Sequence, residues 1–136
     1  MFLLNMINIG YNIKDEFSFT QDDVNTFSVL TKDDNPIHLD EEYAKNTIFK
    51  RPIIHGFLGG SVFSKLLATK LWGNGTIYLK QNLKFYKPMY PLTKYTAYLE
   101  VMDLDYKKHR AKILTQVKID NDLVIDGDAL IQHKDI

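Results

Sequence analysis

The stretch GFLGGSVFSKLLATKL, residues 56–71, decides the fold, because its apolar residues cover most of the circumference of a helix. Only Lys65 and Lys70 are charged, so the pattern predicts a long helix that the rest of the chain largely encloses. Gly59 and Gly60 each cost a helix roughly 0.5–1 kcal/mol relative to alanine. Such a cost is tolerable where another backbone lies close, as when a helix is pressed against a sheet. The apolar positions are Phe57, Leu58, Val62, Phe63, Leu66, Leu67 and Leu71.

Three segments after this helix alternate apolar and polar residues, with the period of two that is typical of half-buried strands. Between the last two, Asn121-Asp122 predicts a hairpin turn. The segment 76–86 is also strand-like, and Pro88 and Pro91 restrict it to an edge or a bulge. The inward-facing sets are Tyr95, Ala97, Leu99 and Val101, then Ala111, Ile113, Thr115, Val117 and Ile119, then Leu123, Ile125, Gly127, Ala129 and Ile131.

The part before the long helix predicts a short strand and further helix. Thr20 and Asp23 form a capping-box pattern for a helix that ends near Thr31, with Val24, Phe27 and Val29-Leu30 on its apolar face. A short helical turn is expected over residues 40–44. This order of elements predicts an α+β fold, one antiparallel sheet wrapped around a long central helix in a single domain, residues 1–136. The sheet leaves edges that a second copy of the chain would help to cover.

Composition excludes several classes of protein. The 136 residues carry no net charge, so no basic surface is expected for nucleic acid. The chain has no cysteine, which excludes disulfides, thiolate metal sites and cysteine nucleophiles. The start of the chain, MFLLNMINIGYNI, is apolar but short and lacks a basic beginning, so it predicts neither a signal peptide nor a membrane span. We therefore expect a cytoplasmic protein without a membrane partner.

The polar stretch KDDNPIHLDEEYA, residues 32–44, is the first candidate for chemistry. Asn35-Pro36 predicts a loop with restricted backbone freedom, across which Asp33 and His38 can converge. A carboxylate beside an imidazole is a common arrangement for taking a proton from water near neutral pH. The same residues also suit a plain turn followed by a helix that Asp40 caps. A calcium loop fits poorly, because proline and histidine interrupt the oxygen ligands.

The stretch RPIIHGFLGGSVFS, residues 51–64, is the second candidate. A helix that begins at Gly56 directs free N–H groups outward, and glycine admits a ligand without interference from a Cβ. These are the requirements of an oxyanion site for a thioester carbonyl. Alternatively, Gly56 is only a helix boundary and His55 a local cap. A zinc site that uses His38, His55 and an aspartate lacks a recognisable ligand spacing.

The two stretches DDNPIH (33–38) and RPIIHGF (51–57) together resemble the signature of the MaoC-like dehydratases, the (R)-specific enoyl-CoA hydratases of the hotdog fold. The likeness continues through GNGTIYL, residues 73–79. It implies that Asp33 and His38 are the catalytic pair, which holds and activates a water molecule. It also implies that the Gly56 amide binds the thioester oxygen.

The same resemblance assigns supporting roles to three further residues. Asn35 braces the catalytic loop, Ser64 donates a hydrogen bond to the catalytic aspartate, and Phe57 provides an apolar wall for the substrate. The implied substrate is an acyl-CoA or acyl-carrier-protein thioester, and the implied working unit is a homodimer or a dimer of dimers. Neither a metal nor another cofactor is expected. A hotdog acyl thioesterase and a non-catalytic acyl-thioester-binding module are the alternatives.

Overall fold

A computed structural model describes residues 7–136 as an antiparallel sheet wrapped around a long helix. The strands lie in the spatial order β1-β3-β4-β5-β2, and each neighbouring pair is antiparallel. The α+β architecture predicted from the sequence is confirmed. The elements are β1 (Asn12–Phe17), α1 (Gln21–Thr31), α2 (Pro36–Leu39), α3 (Glu41–Lys45), α4 (Gly56–Thr69), β2 (Ile77–Phe85), β3 (Tyr95–Asp105), β4 (Arg110–Ile119) and β5 (Asp122–Gln132).

Helix α1 begins and ends as predicted. The Thr20 hydroxyl accepts a hydrogen bond from the Asp23 N–H, and the Asp23 carboxylate accepts one from the Thr20 N–H, which completes the capping box. The helix ends at Thr31, and Lys32 follows in the left-handed conformation with φ of 67°. This reversal turns the chain toward the polar stretch.

The apolar face predicted for α1 was wrong near its C-terminal end. Val29 and Leu30 are 74% and 79% exposed, whereas Ser28 is buried. Val24 and Ser28 are four residues apart and therefore lie on the same face of the helix, the face that meets the core. A polar side chain on that face needs a buried partner, and its partner belongs to the candidate site.

Helix α4 is enclosed on one face only, which corrects the prediction that it is largely enclosed. It ends at Thr69, two residues earlier than predicted, and Leu71 lies beyond it with φ of 56°. Its buried residues are Leu58, Gly59, Val62, Phe63, Leu66 and Leu67. The opposite face, exposed in a single chain, carries Phe57, Ser61, Ser64, Lys65 and Ala68.

Side chains, rather than a second backbone, occupy the space beside the glycines of α4. A Cβ on Gly59 would lie 2.6 Å from the Met89 sulfur, and one on Gly60 would lie 3.1 Å from Leu83 Cδ1. Methionine and leucine therefore pack directly against the helix backbone. The glycines bring α4 close to β2 and to the segment that follows it.

The alternation predicted for β3 and β4 is confirmed at every buried position from Tyr95 to Val101 and from Ala111 to Val117. Strand β5 departs from it, because a bulge leaves Val124 as an extra residue. The Val124 carbonyl accepts the Tyr86 N–H at 2.8 Å and so ties the segment after β2 to the sheet. The hairpin turn comprises residues 120–121, one position earlier than predicted.

Strand β2 lies at an edge of the sheet, as Pro88 and Pro91 predicted, and a register shift near Tyr78 makes it irregular. After β2 the chain passes along the start of α4, where the Met89 carbonyl accepts the Ile54 N–H at 2.7 Å. Within residues 7–136, none of the helices is long and apolar enough to cross a membrane. The first six residues of the apolar N-terminal segment lie outside the described part.

Candidate active site

Asn35 and Pro36 start a short helix, α2, where the sequence predicted a loop. The Asn35 side chain accepts the Ile37 N–H at 3.2 Å and caps the helix. Proline suits the first helical position, since its missing N–H would have no partner there. Asp40 ends α2 and caps α3 by accepting the Tyr43 N–H at 3.1 Å. Asn35 therefore holds the backbone between the two predicted catalytic residues.

His38 lies on α2 with a largely buried ring whose direction is set by the main chain. Its Nδ1 is 2.8 Å from the carbonyl oxygen of Ile53. A carbonyl can only accept, so Nδ1 carries the hydrogen and the neutral ring keeps an unprotonated Nε2. The segment that carries this carbonyl is held in turn by the Ile53 N–H, which donates to the Ile37 carbonyl at 3.2 Å. The free nitrogen of His38 is the kind of acceptor that a general base requires.

The His38 ring is one of three titratable side chains that converge at this point. The carboxylate of Asp33 and one ring nitrogen each of His38 and His55 lie within 4.8 Å of one another. Two polar atoms at such a separation are within reach of one bridging water, because each of its hydrogen bonds spans about 2.8 Å. The Asp33 residue is exposed, whereas both imidazoles are buried.

The converging groups open into a cavity of about 520 Å³. Asp33, His38 and Gly56 line it together, so the structure brings the predicted pair and the predicted amide to one place. The rest of its wall is mainly apolar, which suits an acyl chain with a polar reacting end. The apolar lining residues are Phe49, Ile53, Ile54, Phe57, Phe85, Pro88, Met89 and Ile125.

Gly56 is the first residue of α4, and the first bond of the helix runs from the Gly59 N–H to the His55 carbonyl at 3.1 Å. His55 stands at the N-cap position, but its side chain makes no capping hydrogen bond, so its interpretation as a local cap was wrong. A Cβ on Gly56 would lie 2.9 Å from Cε1 of Phe85. Glycine therefore lets an aromatic wall of the cavity come close to the helix start.

Phe57 and Ser64 occupy different positions relative to this cavity. Phe57 is 73% exposed and lines it, with its ring centroid 6.4 Å from that of Phe85. Ser64 lies two turns further along, on the exposed face of α4, and lines a separate cavity with Phe27 and Tyr78. Among residues 7–136 Ser64 makes no hydrogen bond to Asp33, so this chain alone does not form the contact that the resemblance implies.

His55 is the residue that the sequence reasoning undervalued. It is 2% exposed, its ring stacks on that of His38 with centroids 3.8 Å apart, and the ring of Phe27 covers it at 4.7 Å. Its Nε2 lies 2.9 Å from the Ser28 hydroxyl and 3.1 Å from the Asp33 carbonyl oxygen. The available signal was Ser28 itself, a polar residue on the core-facing side of α1.

The surroundings of His55 keep it neutral. Burial is the largest influence and lowers its pKa, and the nearby His38 lowers it further. The Asp33 carbonyl and carboxylate oppose these effects without overcoming them. Within residues 7–136, the Nδ1 of His55 is buried without a hydrogen-bond partner. A positive charge would place an N–H there with nothing to accept it.

The convergence of Asp33, His38 and His55 raises the question of a metal ion. The two imidazole planes are only 27° apart and stacked. Lone pairs lie in the ring planes, so rings stacked 3.8 Å apart direct them within two nearly parallel planes, and both cannot be aimed at one ion about 2.0–2.1 Å away. One nitrogen of each ring is also engaged by a backbone carbonyl. The arrangement does not fit a zinc site.

Comparison with known proteins identifies what the chain is similar to. The family described as "MaoC like domain" matches residues 5–122. The (R)-specific enoyl-CoA hydratase of Aeromonas caviae is 36% identical over 127 residues, which are 93% of this chain and 95% of that protein. A mitochondrial 3-hydroxyacyl-[acyl-carrier-protein] dehydratase of Solanum lycopersicum is 37% identical over 92% of this chain and 76% of its own length. The solved structure of an (R)-hydratase from A. caviae superposes with a TM-score of 0.89 at 36% identity, covering 93% of this chain and 97% of that one.

Proposed function

The chain belongs to the MaoC-like domain family, and from that premise we propose that it catalyses the reversible, (R)-specific hydration of trans-2-enoyl thioesters. It is a lyase that makes (R)-3-hydroxyacyl thioesters and, in reverse, removes water from them. The observation that carries this proposal is the meeting of Asp33, His38 and Gly56 in one mainly apolar cavity.

The Asp33–His38 pair activates the water. The carboxylate of Asp33 and a ring nitrogen of His38 lie within 4.8 Å of each other, a separation that one water can bridge, and Nε2 is the nitrogen that the Ile53 carbonyl leaves available. Its oxygen attacks C3 of the enoyl thioester while one member of the pair removes its proton. The pair then delivers that proton to C2, so the enzyme ends the cycle in its starting protonation state. Dehydration follows the same steps in reverse.

The start of α4 stabilises the thioester oxygen. As water adds to C3, negative charge moves to that oxygen and an enolate forms. The Gly56 N–H precedes the first hydrogen bond of a 14-residue helix, so it is free within the helix and stands at the positive end of the helix dipole. A donor aimed at developing charge is typically worth about 2.7–4 kcal/mol of transition-state stabilisation.

The substrate carrier is coenzyme A or an acyl carrier protein. Relatives named for each kind of thioester have similar identity to this chain, 36% for the enoyl-CoA hydratase and 37% for the acyl-carrier-protein dehydratase. Parallel assays with crotonyl-CoA and the corresponding carrier-protein thioester decide between them.

We infer that the working unit is a homodimer. Strand β2 is an edge strand whose Ile77, Tyr78 and Leu79 are 52%, 38% and 41% exposed, and the adjoining face of α4 is exposed as well. Pairing of two copies would cover both surfaces. Sedimentation of the purified protein tests this, and a monomer at assay concentration would contradict it. The cytoplasmic location remains a prediction that cell fractionation can check.

Crotonyl-CoA separates the proposed activity from its two alternatives. Hydration removes the conjugated double bond and its absorbance without releasing a thiol. A thioesterase would release free coenzyme A, which a thiol reagent detects, and a binding module would do neither. Loss of enoyl absorbance with formation of (R)-3-hydroxybutyryl-CoA is the expected result, and thiol release or the (S) product would refute the proposal.

A further inference from the structure

His55 joins the parts of the site but offers almost no surface to a substrate. It lines the cavity, yet the residue is only 2% exposed, and the rings of Phe27 and His38 both pack against its ring. A ring covered to this extent is poorly placed to exchange protons with a water in the cavity. Its position between α1, Asp33, α2 and the start of α4 instead allows it to hold these parts of the chain relative to one another.

The hydrogen bonds of His55 anchor the main chain at Asp33. The Asp33 carbonyl only accepts, so the nitrogen 3.1 Å away must carry a hydrogen, which makes His55 the Nε2–H tautomer. That hydrogen is shared with the Ser28 hydroxyl at 2.9 Å. Asp33, whose backbone is anchored in this way, lines the cavity.

The stacking contact of His55 orients His38. A single hydrogen bond from Nδ1 of His38 to the Ile53 carbonyl fixes one direction of that ring but permits it to rotate about the bond. Stacking on His55, with centroids 3.8 Å apart and planes 27° apart, removes this freedom. Both contacts together determine where the free Nε2 of His38 points.

We propose that His55 is a positioning residue that holds the Asp33 carboxylate and the His38 Nε2 at the separation which one water bridges. It does so as a neutral ring that grips the Asp33 backbone through Nε2–H and supports His38 through its face. This inference rests on the hydratase function proposed above and adds a residue to it. The charged or titratable groups that face His55 are Asp33 and His38.

Two substitutions separate the functions of the ring. His55→Phe keeps an aromatic face for His38 and removes the hydrogen bond to Asp33, whereas His55→Gln keeps an N–H donor and removes the stacking face. A misplacement of about 1 Å in a catalytic group can cost on the order of 100-fold in rate. We expect each variant to lose about 10- to 100-fold in kcat toward crotonyl-CoA with KM nearly unchanged, because His55 is only 2% exposed and adds little to the cavity surface that binds the acyl chain.

His133→Phe is the matched control for a merely structural histidine. His133 is buried like His55, at 3% exposure, and its Nε2 donates to the Asn74 carbonyl at 2.7 Å, but it does not line the cavity. The control should lower the thermal midpoint and leave kcat per folded enzyme unchanged. The same kcat loss in all three variants, or none in the His55 variants, would overturn the proposal.

Nitrogen NMR of the wild-type protein tests the inference even if the variants do not fold. Long-range proton–nitrogen spectra at pH 7.5 should show His55 protonated at Nε2 only and His38 at Nδ1 only. An Nδ1-protonated or charged His55 would refute the positioning contact. Wild-type protein without hydratase activity would instead refute the proposed function, so the two failures are distinguishable.

Discussion

The chain has two regions built around buried histidines, and they use the imidazole in different ways. Near the C-terminal end, His133 donates through Nε2 to the Asn74 carbonyl at 2.7 Å and accepts the Asp135 N–H at Nδ1 at 3.0 Å. In the candidate site, His38 engages only Nδ1 in the described part of the chain, and its ring lies beside a cavity. Both nitrogens of His133 form hydrogen bonds with the backbone, whereas only one nitrogen of His38 does so among the described residues.

This difference separates a structural histidine from the proposed catalytic one better than burial does. His133 and His38 are both buried, at 3% and 9% exposure. What differs is the free nitrogen, the cavity beside it and a carboxylate within reach. His55 is intermediate, since its Nδ1 is buried without a partner among residues 7–136 and its ring stacks on that of His38.

The largest effect should come from Asp33→Asn, which removes the carboxylate from the pair and leaves its shape. An amide cannot exchange a proton with water or with C2, so kcat for crotonyl-CoA should fall by about 100- to 10,000-fold. Because Asp33 is exposed, the free energy of unfolding should change by less than about 0.5 kcal/mol. Enoyl absorbance measures the first quantity and urea titration the second.

The adjacent aspartate provides the matched control for that experiment. Asp34 is exposed and does not line the cavity, so Asp34→Asn should retain full activity. Equal activity in the two variants would remove Asp33 from the proposed catalytic pair. A carboxylate within reach would then no longer distinguish His38 from the structural His133.

A smaller effect, on stability alone, is expected from His133→Phe. The ring fits by size, but the Asn74 carbonyl and the Asp135 N–H both lose their partner. Loss of such bonds at a buried side chain costs about 1–3 kcal/mol of unfolding free energy. Urea unfolding measures this cost, and a fall in kcat per folded molecule would mean that the C-terminal region also serves catalysis.

The pH dependence of stability should show the neutral state of His55. The unfolded chain protonates this imidazole near pH 6.5, whereas in the folded chain burial lowers its pKa. The unfolded state therefore binds the proton first, and the free energy of unfolding decreases as pH falls below about 6.5. His55→Phe lacks this effect, so the stability difference between wild type and variant should narrow from pH 7.5 to pH 5. A widening difference would show that the folded state prefers a charged His55 beside Asp33 and His38.

The smallest effect is expected for His109→Gly in the C-terminal region. The exposed His109 donates through Nδ1 to the Ile136 carbonyl at 2.8 Å, a bond worth about 0.5–1.5 kcal/mol. It also has φ of 57°, a left-handed conformation that costs a non-glycine residue about 1–2 kcal/mol. The two terms nearly cancel, so thermal unfolding should change little and activity not at all. A large loss of stability would show that the hydrogen bond outweighs the backbone strain.

Much of the site was predictable because its key residues stand in short motifs. Asp33 and His38 are joined by Asn35-Pro36, so their approach follows from a local bend, and Gly56 follows from the start of a helix. The secondary structure of this bend was harder to predict from the sequence. Proline at a first helical position and proline in a loop look alike in a sequence, and only the Asn35 cap shows that α2 is helical.

Ser28 shows where the sequence prediction was wrong, whereas the contact assigned to Ser64 stays a prediction. Periodicity placed Val29 and Leu30 inside, whereas the structure buries Ser28. The polar Ser28 side chain is tolerated there because its hydroxyl forms a hydrogen bond with His55, 27 positions later in the chain. Ser64 was assigned by counting along α4 from the motif. Counting gives the position on the helix, but the side chain lies on the face that a single chain leaves exposed.

By itself, the amino-acid order determined what depends on neighbours a few positions apart: the capping box of α1, the alternation of β3 and β4, and the motifs that carry Asp33, His38 and Gly56. Only the tertiary structure decided which nitrogen of His38 stays free, that His55 lies stacked beneath it, and which face of α4 is covered. The first two features depend on contacts between groups 15 to 27 residues apart in the chain. The third depends on contacts of α4 with Leu83, Met89 and Ile125. Their geometry arises when the helices pack together and against the sheet, and no local periodicity encodes it.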